Sequence, residues 1–428
     1  MAHPAAAFLS RDFLRYQLAR VVVIVGAEAQ ALAVAWQIYQ ITHKAIDLGY
    51  TGLVLFLPGL LFILPAGHAA DRFDRRVVIL ICYSLQAVCS FLLFRLAWTG
   101  IHQVWPVFTL LFVVGTGRAF SGPASSALIP HLIPTEHFVN AITWGSAIFQ
   151  IANIIGPALG GVLFTLPLHG RLHGAALVYL FTLGSILWFL VLIASLHVRP
   201  GRMEHRAVSK DVLLAGLRYV ASTQVLLGSI SLDLFAVLLG GAVALLPIFA
   251  QDILHAGARG LGLLRAAPAL GALAVSLWLM ARPIRRAAGA KMLLCVAIFG
   301  IATVVFGVSH SLPLSLAALF VVGASDMVSV VIRSSILQLA TPSQMRGRVS
   351  AVNSLFVGAS NELGGFESGL TAQWWGAVPA VVVGGIGSLI VTGLWTVFFP
   401  SLRRAGALTP EALLAAEEEQ TAQEVRQL

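Results

Sequence analysis

The chain has 428 residues, of which 58% are hydrophobic and only 11% are charged. Soluble globular proteins carry about 25% charged residues, and a large core does not explain the deficit, because part of any soluble surface must face water. The composition therefore excludes a soluble protein. The formal net charge of +9 is compatible with binding to nucleic acid, and the distribution of the basic residues along the chain tests this possibility.

Apolar stretches recur along the chain at the length of a membrane-spanning helix, about 20 residues. The first has no small-residue cleavage site after it, so we expect it to remain as a membrane helix rather than to be removed as an export signal. A long basic segment at 197–223 divides the stretches into two groups of six. The sequence predicts an all-α membrane protein with twelve spans, at 17–40, 47–69, 77–98, 104–130, 138–166, 174–196, 224–250, 258–281, 291–309, 313–340, 349–374 and 378–399.

The basic residues are distributed unevenly between the two sides of these predicted spans. With the N-terminus in the cytoplasm, 19 Lys or Arg fall in cytoplasmic segments, three fall outside, and five fall within spans. The five are Arg20, Arg95, Arg118, Arg265 and Arg333. This bias predicts a bacterial inner-membrane protein with both termini in the cytoplasm. The positive charge then reflects topology and contact with anionic membrane lipid, and nucleic-acid binding is not expected.

The chain matches itself when it is shifted by about half its length. At a shift of 210 residues Pro58 falls on Pro268, and at a shift of 208 Gly115 meets Gly323 and Gly156 meets Gly364. A nearly constant offset of six spans predicts two pseudo-symmetric six-helix bundles, an arrangement that transporters build around a central site. The predicted parts are an N-terminal bundle at 1–196, a cytoplasmic linker at 197–223, a C-terminal bundle at 224–400 and a tail at 401–428 with a short helix from Thr409.

Charge is densest in the turn between predicted spans 2 and 3, which reads PAGHAADRFDRRVV at 65–78. Its G-x-x-x-D-R-x-x-R-R pattern consists of Gly67, Asp71, Arg72, Arg75 and Arg76. The pattern resembles the signature loop of the major facilitator superfamily, with Asp74 where the usual signature has a Gly.

Two further motifs strengthen this resemblance. Span 4 carries Arg118 and Gly122, similar to the superfamily's R-x-x-x-G pattern, and span 5 carries GPALGG, with Gly156, Pro157, Gly160 and Gly161. The span-5 motif resembles that of proton-coupled drug antiporters, which implies export rather than uptake. Phrases such as RGRVSAVNSLFVGASNELGGFESG are similar to the branch that contains the bacterial enterobactin exporter.

The resemblance implies a role for the signature loop as a cytoplasmic gate. Backbone N–H groups at a helix N-terminus attract anions, so the carboxylate of Asp71 is expected to dock at the start of span 11. Arg72, Arg75 and Arg76 are expected to bind carboxylates or lipid phosphates. Gly156, Gly160 and Gly161 permit close approach of another backbone, and ordinary helix packing is the alternative to a gating role.

Ionisable side chains inside a membrane are costly and are functional candidates by default. Glu28 and Arg118 lie near mid-depth in spans 1 and 4, and they are able to form a conformation-dependent pair. Asp326 of span 10 corresponds to Arg118 in the repeat, while Asp233 and Glu362 are further candidates in spans 7 and 11. Burial raises the pKa of a carboxyl group and a nearby Arg lowers it. We therefore expect Glu28 or Asp326 to exchange protons, with a permanent ion pair as the alternative.

Six more side chains are candidates for lining a cargo cavity, because aromatic faces and amides suit a bulky, partly apolar molecule. They are Trp36, Gln37, Phe149, Gln150, Asn153 and Arg333. Helix packing or contact with lipid is the alternative for each of them.

The sequence contains no recognisable hydrolase triad, phosphate-binding loop or metal-ligand constellation, so neither an enzyme nor a cofactor or metal is expected. The prediction is a monomeric carrier that exports a drug-like compound or a siderophore in exchange for protons. Uptake or lysophospholipid flipping on the same fold is one alternative, and a non-transporting membrane sensor is another.

Overall fold

The computed structural model describes residues 8, 10–100, 103–134, 137–166, 174–196, 210–284, 286–342 and 344–406. Within these ranges the chain is helical and contains no strand. The helices are α1 (Arg11–Thr42), α2 (Ala45–Leu61), α3 (Ile63–Arg72), α4 (Arg75–Thr99), α5 (Trp105–Leu128), α6 (Phe138–Thr165), α7 (Ala175–Ala194), α8 (Lys210–Ser222), α9 (Gln224–Leu239), α10 (Leu246–Ile248), α11 (Gly257–Ala281), α12 (Ala288–Val308), α13 (Leu312–Ala340), α14 (Arg346–Trp375), α15 (Ala377–Phe398) and α16 (Pro400–Arg404).

Ten helical segments in the described ranges are long and apolar enough to cross a membrane, and α2 with α3 makes an eleventh if the pair is one bent span. They correspond to the predicted spans 1 to 10 and 12, which confirms an all-helical membrane protein. The predicted span 11 corresponds to α14, a helix of 30 residues. Charged and amide side chains along α14 make it more polar than the others, so the count of twelve spans stays a prediction.

Predicted span 2 is broken. Helices α2 and α3 meet at Phe62 with a bend of 59°. Pro65, in the first turn of α3, has no backbone N–H, and its ring crowds the carbonyl four residues earlier, which belongs to Leu61. The hydrogen bonds on either side, from Phe62 to Pro58 and from Ala66 to Phe62, are both 2.8 Å. The break therefore coincides with the one carbonyl that Pro65 deprives of a donor.

Large apolar side chains cover much of the outer surface of the helices. Ile81, Val191 and Met280 are 63%, 65% and 78% exposed. An apolar surface of this extent is unfavourable in water and is normal for a helix that faces lipid.

The chain divides into two compact units. Unit 1 consists of Met1–Val208 with His255–Ala266, and unit 2 of Ser209–Leu254 with Ala267–Leu428. In unit 1, α1 packs against α6 and α7, and polar groups join it to its neighbours. Ser90 of α4 donates to the Gln30 Oε1 at 2.8 Å, and Thr182 of α7 donates to the Gly26 carbonyl at 2.9 Å.

In unit 2, α12 packs against both α13 and α15, around a core that includes Leu232, Met292 and Ile336. The segment after α15 folds back onto the start of α12. There the backbone N–H groups of Ala288 and Gly289 donate to the carbonyls of Gly406 and Ala405 at 3.1 and 3.0 Å. Ser401, Leu402 and Ala405 are fully buried, so this C-terminal segment is part of the fold of unit 2.

Corresponding helices of the two repeats make similar contacts inside the two units. A Cβ on Gly115 would lie 2.5 Å from the Leu55 carbonyl oxygen, and one on Gly323 would lie 1.9 Å from the Pro268 carbonyl oxygen. The hydroxyl of Ser388 donates to the Ala236 carbonyl at 2.9 Å, which repeats the bond from Thr182 to Gly26. Internal duplication thus extends from the sequence to specific helix contacts.

Candidate functional site

Two arginines of the signature turn bind carbonyl groups at the ends of helices in unit 1. Arg75 donates to the Ala127 carbonyl at 3.2 Å and also contacts the Nε2 of His131. Arg76 donates to the Ala194 carbonyl. Cations are favourable at helix C-termini, where the macrodipole is negative. Among the described residues the partners of Arg75 and Arg76 are therefore backbone carbonyls and the His131 ring, and neither arginine forms an ion pair with a carboxylate there.

The remaining residues of the turn differ in what they contact. Arg72 is exposed and Gly67 is buried, while the side chain of Asp71 lies outside what the structure describes. Asp74, the departure from the usual signature, accepts a hydrogen bond from the backbone N–H of Arg76 at 2.9 Å. Asp74 is the N-cap residue of α4, and a short acidic side chain is among the best caps. The side chain of Asp74 therefore caps the N-terminus of α4.

The span-5 motif brings α6 against α1 at the predicted coupling residue. A Cβ on Gly156 would lie 2.5 Å from the Glu28 Cβ, and one on Gly160 would lie 2.9 Å from the Ala29 Cα. Helix α6 continues through Pro157 without interruption. The glycines thus permit the close packing of α1 and α6, as predicted from residue size.

The third glycine of the motif faces another helix segment of unit 1. A Cβ on Gly161 would lie 2.7 Å from the Ala258 carbonyl oxygen, and one on Gly262 would lie 2.8 Å from the Pro157 carbonyl oxygen. Beside this contact the Nε of Arg259 donates to the Thr165 hydroxyl at 2.6 Å. Gly161 and Gly262 therefore allow two backbones to approach within unit 1.

Asp233 of α9 and Arg333 of α13 form an ion pair inside unit 2. The two residues are 5% and 4% exposed. A pair this far from water is expensive to desolvate and persists only when each charge has its partner. The sequence had identified Asp233 as a coupling candidate and Arg333 as a cavity candidate, and the structure joins them in one site.

Asp326 of α13 lies next to this ion pair. It shares with Asp233 a cavity of about 10 Å³, close to the roughly 10–15 Å³ that one water requires. The walls come from α9, α12 and α13, and the lining residues are Asp233, Ala236, Val237, Val296, Phe299, Ser325, Asp326 and Ser329. The Ser329 hydroxyl has no hydrogen-bond partner among the described residues. The site thus has two carboxyl groups, one arginine and space for one water.

The other predicted coupling residues are not among those that line this cavity. Glu28 is half-buried on α1 and Arg118 is exposed on α5, and neither makes an ion pair with any described residue. Glu362 is half-buried on α14. Their proton-coupling role remains a prediction.

The predicted cavity residues occupy different surroundings. Trp36 is buried and its ring packs edge-on against Phe164 with the centroids 6.3 Å apart. Gln37 accepts a hydrogen bond from the Tyr179 hydroxyl at 2.8 Å, inside unit 1. Phe149 is exposed on α6, and Gln150 and Asn153 are half-buried on the same helix.

Comparison with known proteins identifies the family. The family model described as transmembrane secretion effector (MFS_3) matches residues 3–427. The chain belongs to this family. The resemblance to the major facilitator superfamily is thereby confirmed, and the transmembrane secretion effector is a multi-pass membrane transporter rather than an enzyme.

Individual relatives of this transmembrane secretion effector are exporters. The enterobactin exporter EntS of Citrobacter koseri is 28% identical over 398 residues, which cover 90% of this chain and 91% of that protein. The macrolide efflux protein A of Streptococcus pyogenes is 28% identical over 134 residues, or 31% of this chain and 33% of that protein. A crystal structure of a bacterial homologue of the human lysosomal transporter Spinster matches 95% of this chain and 98% of its own, with a TM-score of 0.71 and 14% identity. That last likeness shows the fold.

Proposed function

We propose that this transporter exports a small molecule in exchange for protons, by alternating access. In this proposal the chain forms twelve spans in two six-helix bundles, lies in the bacterial inner membrane with both termini in the cytoplasm, and acts as a monomer. The names of the enterobactin exporter and the macrolide efflux protein support a siderophore or a drug-like compound as cargo.

One observation supports the proton-coupling proposal: Asp233 and Asp326 line the same water-sized cavity, but among the described residues only Asp233 has an arginine partner. A carboxylate that lacks a cation is costly away from water, so its charge depends on whether water or a cation reaches it. Arg333 follows Asp326 by two turns on the same face of α13. We infer that Arg333 is the cation whose position relative to the two carboxyl groups changes during transport.

Glu28 is the second proposed proton carrier. Its Cβ lies against Gly156 of the span-5 motif, so a movement of α6 changes the surroundings of this carboxyl group directly. This contact supports a link between the motif associated with export and the protonation of Glu28. The proposal for Glu28 is tested separately from that for Asp326, because the two residues lie in different units.

The test uses everted membrane vesicles that contain the full chain, with labelled enterobactin and labelled erythromycin as probes. When the interior of the vesicles is made acidic, at least one probe should accumulate inside them, and collapse of the pH gradient should abolish this accumulation. Asp326→Asn should lose this accumulation but retain exchange of labelled for unlabelled probe, since exchange requires no net proton movement. Glu28→Gln is examined in the same way.

Asp12→Asn is the matched control, because it makes the same chemical change at a half-buried residue whose carboxylate pairs with Arg15 in the first turn of α1. It should accumulate the probe like the unmodified protein. If Asp326→Asn accumulates the probe at the full rate, Asp326 is not part of the mechanism. The same result for Glu28→Gln would exclude Glu28. Accumulation that occurs only in right-side-out vesicles would reverse the proposed direction.

A further inference from the structure

A polar cavity of about 260 Å³ lies within unit 1, apart from the site around Asp326. It lies between α1, α4, α5 and α7, toward the end of these helices at which the signature turn is found. Its lining residues are Tyr16, Arg20, Ile24, Tyr83, Ser121, Gly122, Ser125, Ser126, Ile129 and Phe189. The lining thus combines one arginine with five hydroxyl groups, and none of the described lining residues is acidic.

The arginine of this cavity has no carboxylate partner in the part of the chain that the structure describes. Arg20 is half-buried, and no carboxylate of a described residue lies within 4 Å of its nitrogens. Arg118 lies on the same face of α5 as the lining residues Ser121 and Ser125, so it adds positive charge to this side of the helix. Positive charge that is removed from bulk water without a partner is unfavourable. The cavity therefore favours an anion.

A second polar group beside Arg20 also lacks a partner. Gln17 lies one turn before Arg20 on α1 and is 2% exposed, and neither its Nε2 nor its Oε1 makes a hydrogen bond with any described residue. Both side chains approach Gly145 of α6, where a Cβ would lie 3.0 Å from the Arg20 Nη1 and 3.7 Å from the Gln17 Nε2. Buried amides are nearly always hydrogen-bonded, so this group supplies an unused donor next to the guanidinium.

We propose that this cavity binds an oxyanion, the carboxylate or phosphate of a small organic acid or of a lipid headgroup. Arg20 pairs with the anion and the hydroxyls of Tyr83 and Ser126 donate to it, since ionised acceptors form the strongest hydrogen bonds. The Ser121 hydroxyl already donates to the Arg118 carbonyl at 3.5 Å. Ile24, Ile129 and Phe189 form an apolar wall for the carbon part of the ligand. The volume is slightly below the range of about 300–1,000 Å³ for drug-sized ligands, which suits a small acid or a headgroup.

The test is anion binding by the full-length purified protein in a neutral maltoside detergent at constant ionic strength. Benzoate and inorganic phosphate are the soluble probes, phosphatidylglycerol is the lipid probe, and choline is the cationic control. Binding to the folded state raises the thermal midpoint, so at least one oxyanion should give a saturable rise and choline should give none. A response to the soluble acids identifies a free ligand, and a response confined to phosphatidylglycerol identifies a headgroup.

Variants connect the response to Arg20. Arg20→Gln should weaken oxyanion binding by about 10- to 100-fold, which corresponds to the loss of one hydrogen bond to a charged group. Arg20→Lys keeps the positive charge and should retain part of the affinity. Arg95→Gln is the matched control, since Arg95 is exposed on α4 and does not line the cavity. Ser126→Asp places a carboxylate in the cavity and should raise the midpoint without ligand while it abolishes the response to oxyanions.

An equal response from Arg20→Gln and the unmodified protein would overturn the proposal, as would stabilisation by choline or the lack of a response to every oxyanion. If Arg20→Gln does not fold, Ser126→Asp decides, because a retained oxyanion response in that variant would contradict the site. The assay uses no ion gradient, so a failure here leaves the proton-coupling proposal unaffected.

Discussion

Gly156 of α6 faces Glu28 of α1 so closely that a Cβ on the glycine would lie 2.5 Å from the Glu28 Cβ. We expect Gly156→Ala to force the two helices apart and to lower the free energy of unfolding by about 1–3 kcal/mol, the usual cost of overpacking. Gly122→Ala is the control, because a Cβ there has no neighbour within 4 Å. Unfolding of both proteins in a denaturing detergent measures the difference, and equal stabilities would contradict the close contact.

The buried ion pair predicts strong coupling between Asp233 and Arg333. Asp233→Asn and Arg333→Gln each leave one buried charge without its partner, and each should cost about 3–5 kcal/mol of unfolding free energy. The double variant should cost much less than the sum, because no isolated charge remains. A double-mutant cycle by equilibrium unfolding tests this expectation, and additive losses would mean that the two side chains do not interact.

The signature turn predicts unequal roles for its arginines in stability. Arg75→Gln removes a charged donor from the Ala127 carbonyl and should reduce the free energy of unfolding by about 1–3 kcal/mol. Arg72→Gln changes an exposed side chain and should remain within about 0.5 kcal/mol of the unmodified protein. Thermal unfolding of the two variants compares them directly. Similar losses from both would show that the carbonyl contacts of Arg75 contribute little.

The break in span 2 predicts that Pro65→Ala straightens the helix. Alanine restores the N–H that the Leu61 carbonyl lacks and removes the ring that crowds it. Spin labels at Tyr50→Cys and Arg72→Cys, in a chain without its native cysteines, should move apart toward about 33 Å, the length of 22 residues of straight helix.

Pro58→Ala serves as the control for this measurement. Pro58 lies inside α2, before the bend, and its replacement should leave the distance between the labels unchanged. An unchanged distance in Pro65→Ala would mean that packing, rather than the missing N–H, causes the bend.

Span positions were largely predictable from the sequence, because a run of apolar residues is a local signal. The predicted spans 313–340 and 378–399 correspond to α13 (Leu312–Ala340) and α15 (Ala377–Phe398), each within one residue at either end. Span 7 was less regular than predicted. It leaves the α-helix at Gly240 and continues through short 3₁₀, α and π segments to Ile253. The pair Gly240 and Gly241 is the available signal, since glycine lowers helix stability.

The charged residues of the site in unit 2 were predictable from the sequence, but which of them form an ion pair was not. Asp233 and Arg333 were recognised separately as charges inside the membrane, yet they lie 100 residues apart in the sequence, and only the packing of α9 on α13 brings them together. The carbonyl partners of Arg75 and Arg76 were missed for a related reason, because any helix end supplies such acceptors and no residue type marks the correct one. The shift that superposes Gly115 on Gly323 in the sequence also relates two glycines that each pack closely against a carbonyl of a neighbouring helix, α2 for Gly115 and α11 for Gly323.

The return of the C-terminal segment to the start of α12 determines where this protein tolerates a cut or a fusion. The carbonyls of Ala405 and Gly406 receive the N–H groups of Gly289 and Ala288, so a reporter domain attached beyond Gly406 leaves those acceptors in place. A stop codon directly after α15 removes the acceptors together with the buried Leu402. We expect the shortened protein to be degraded in the cell and the tagged one to accumulate, which immunoblotting of membranes would measure.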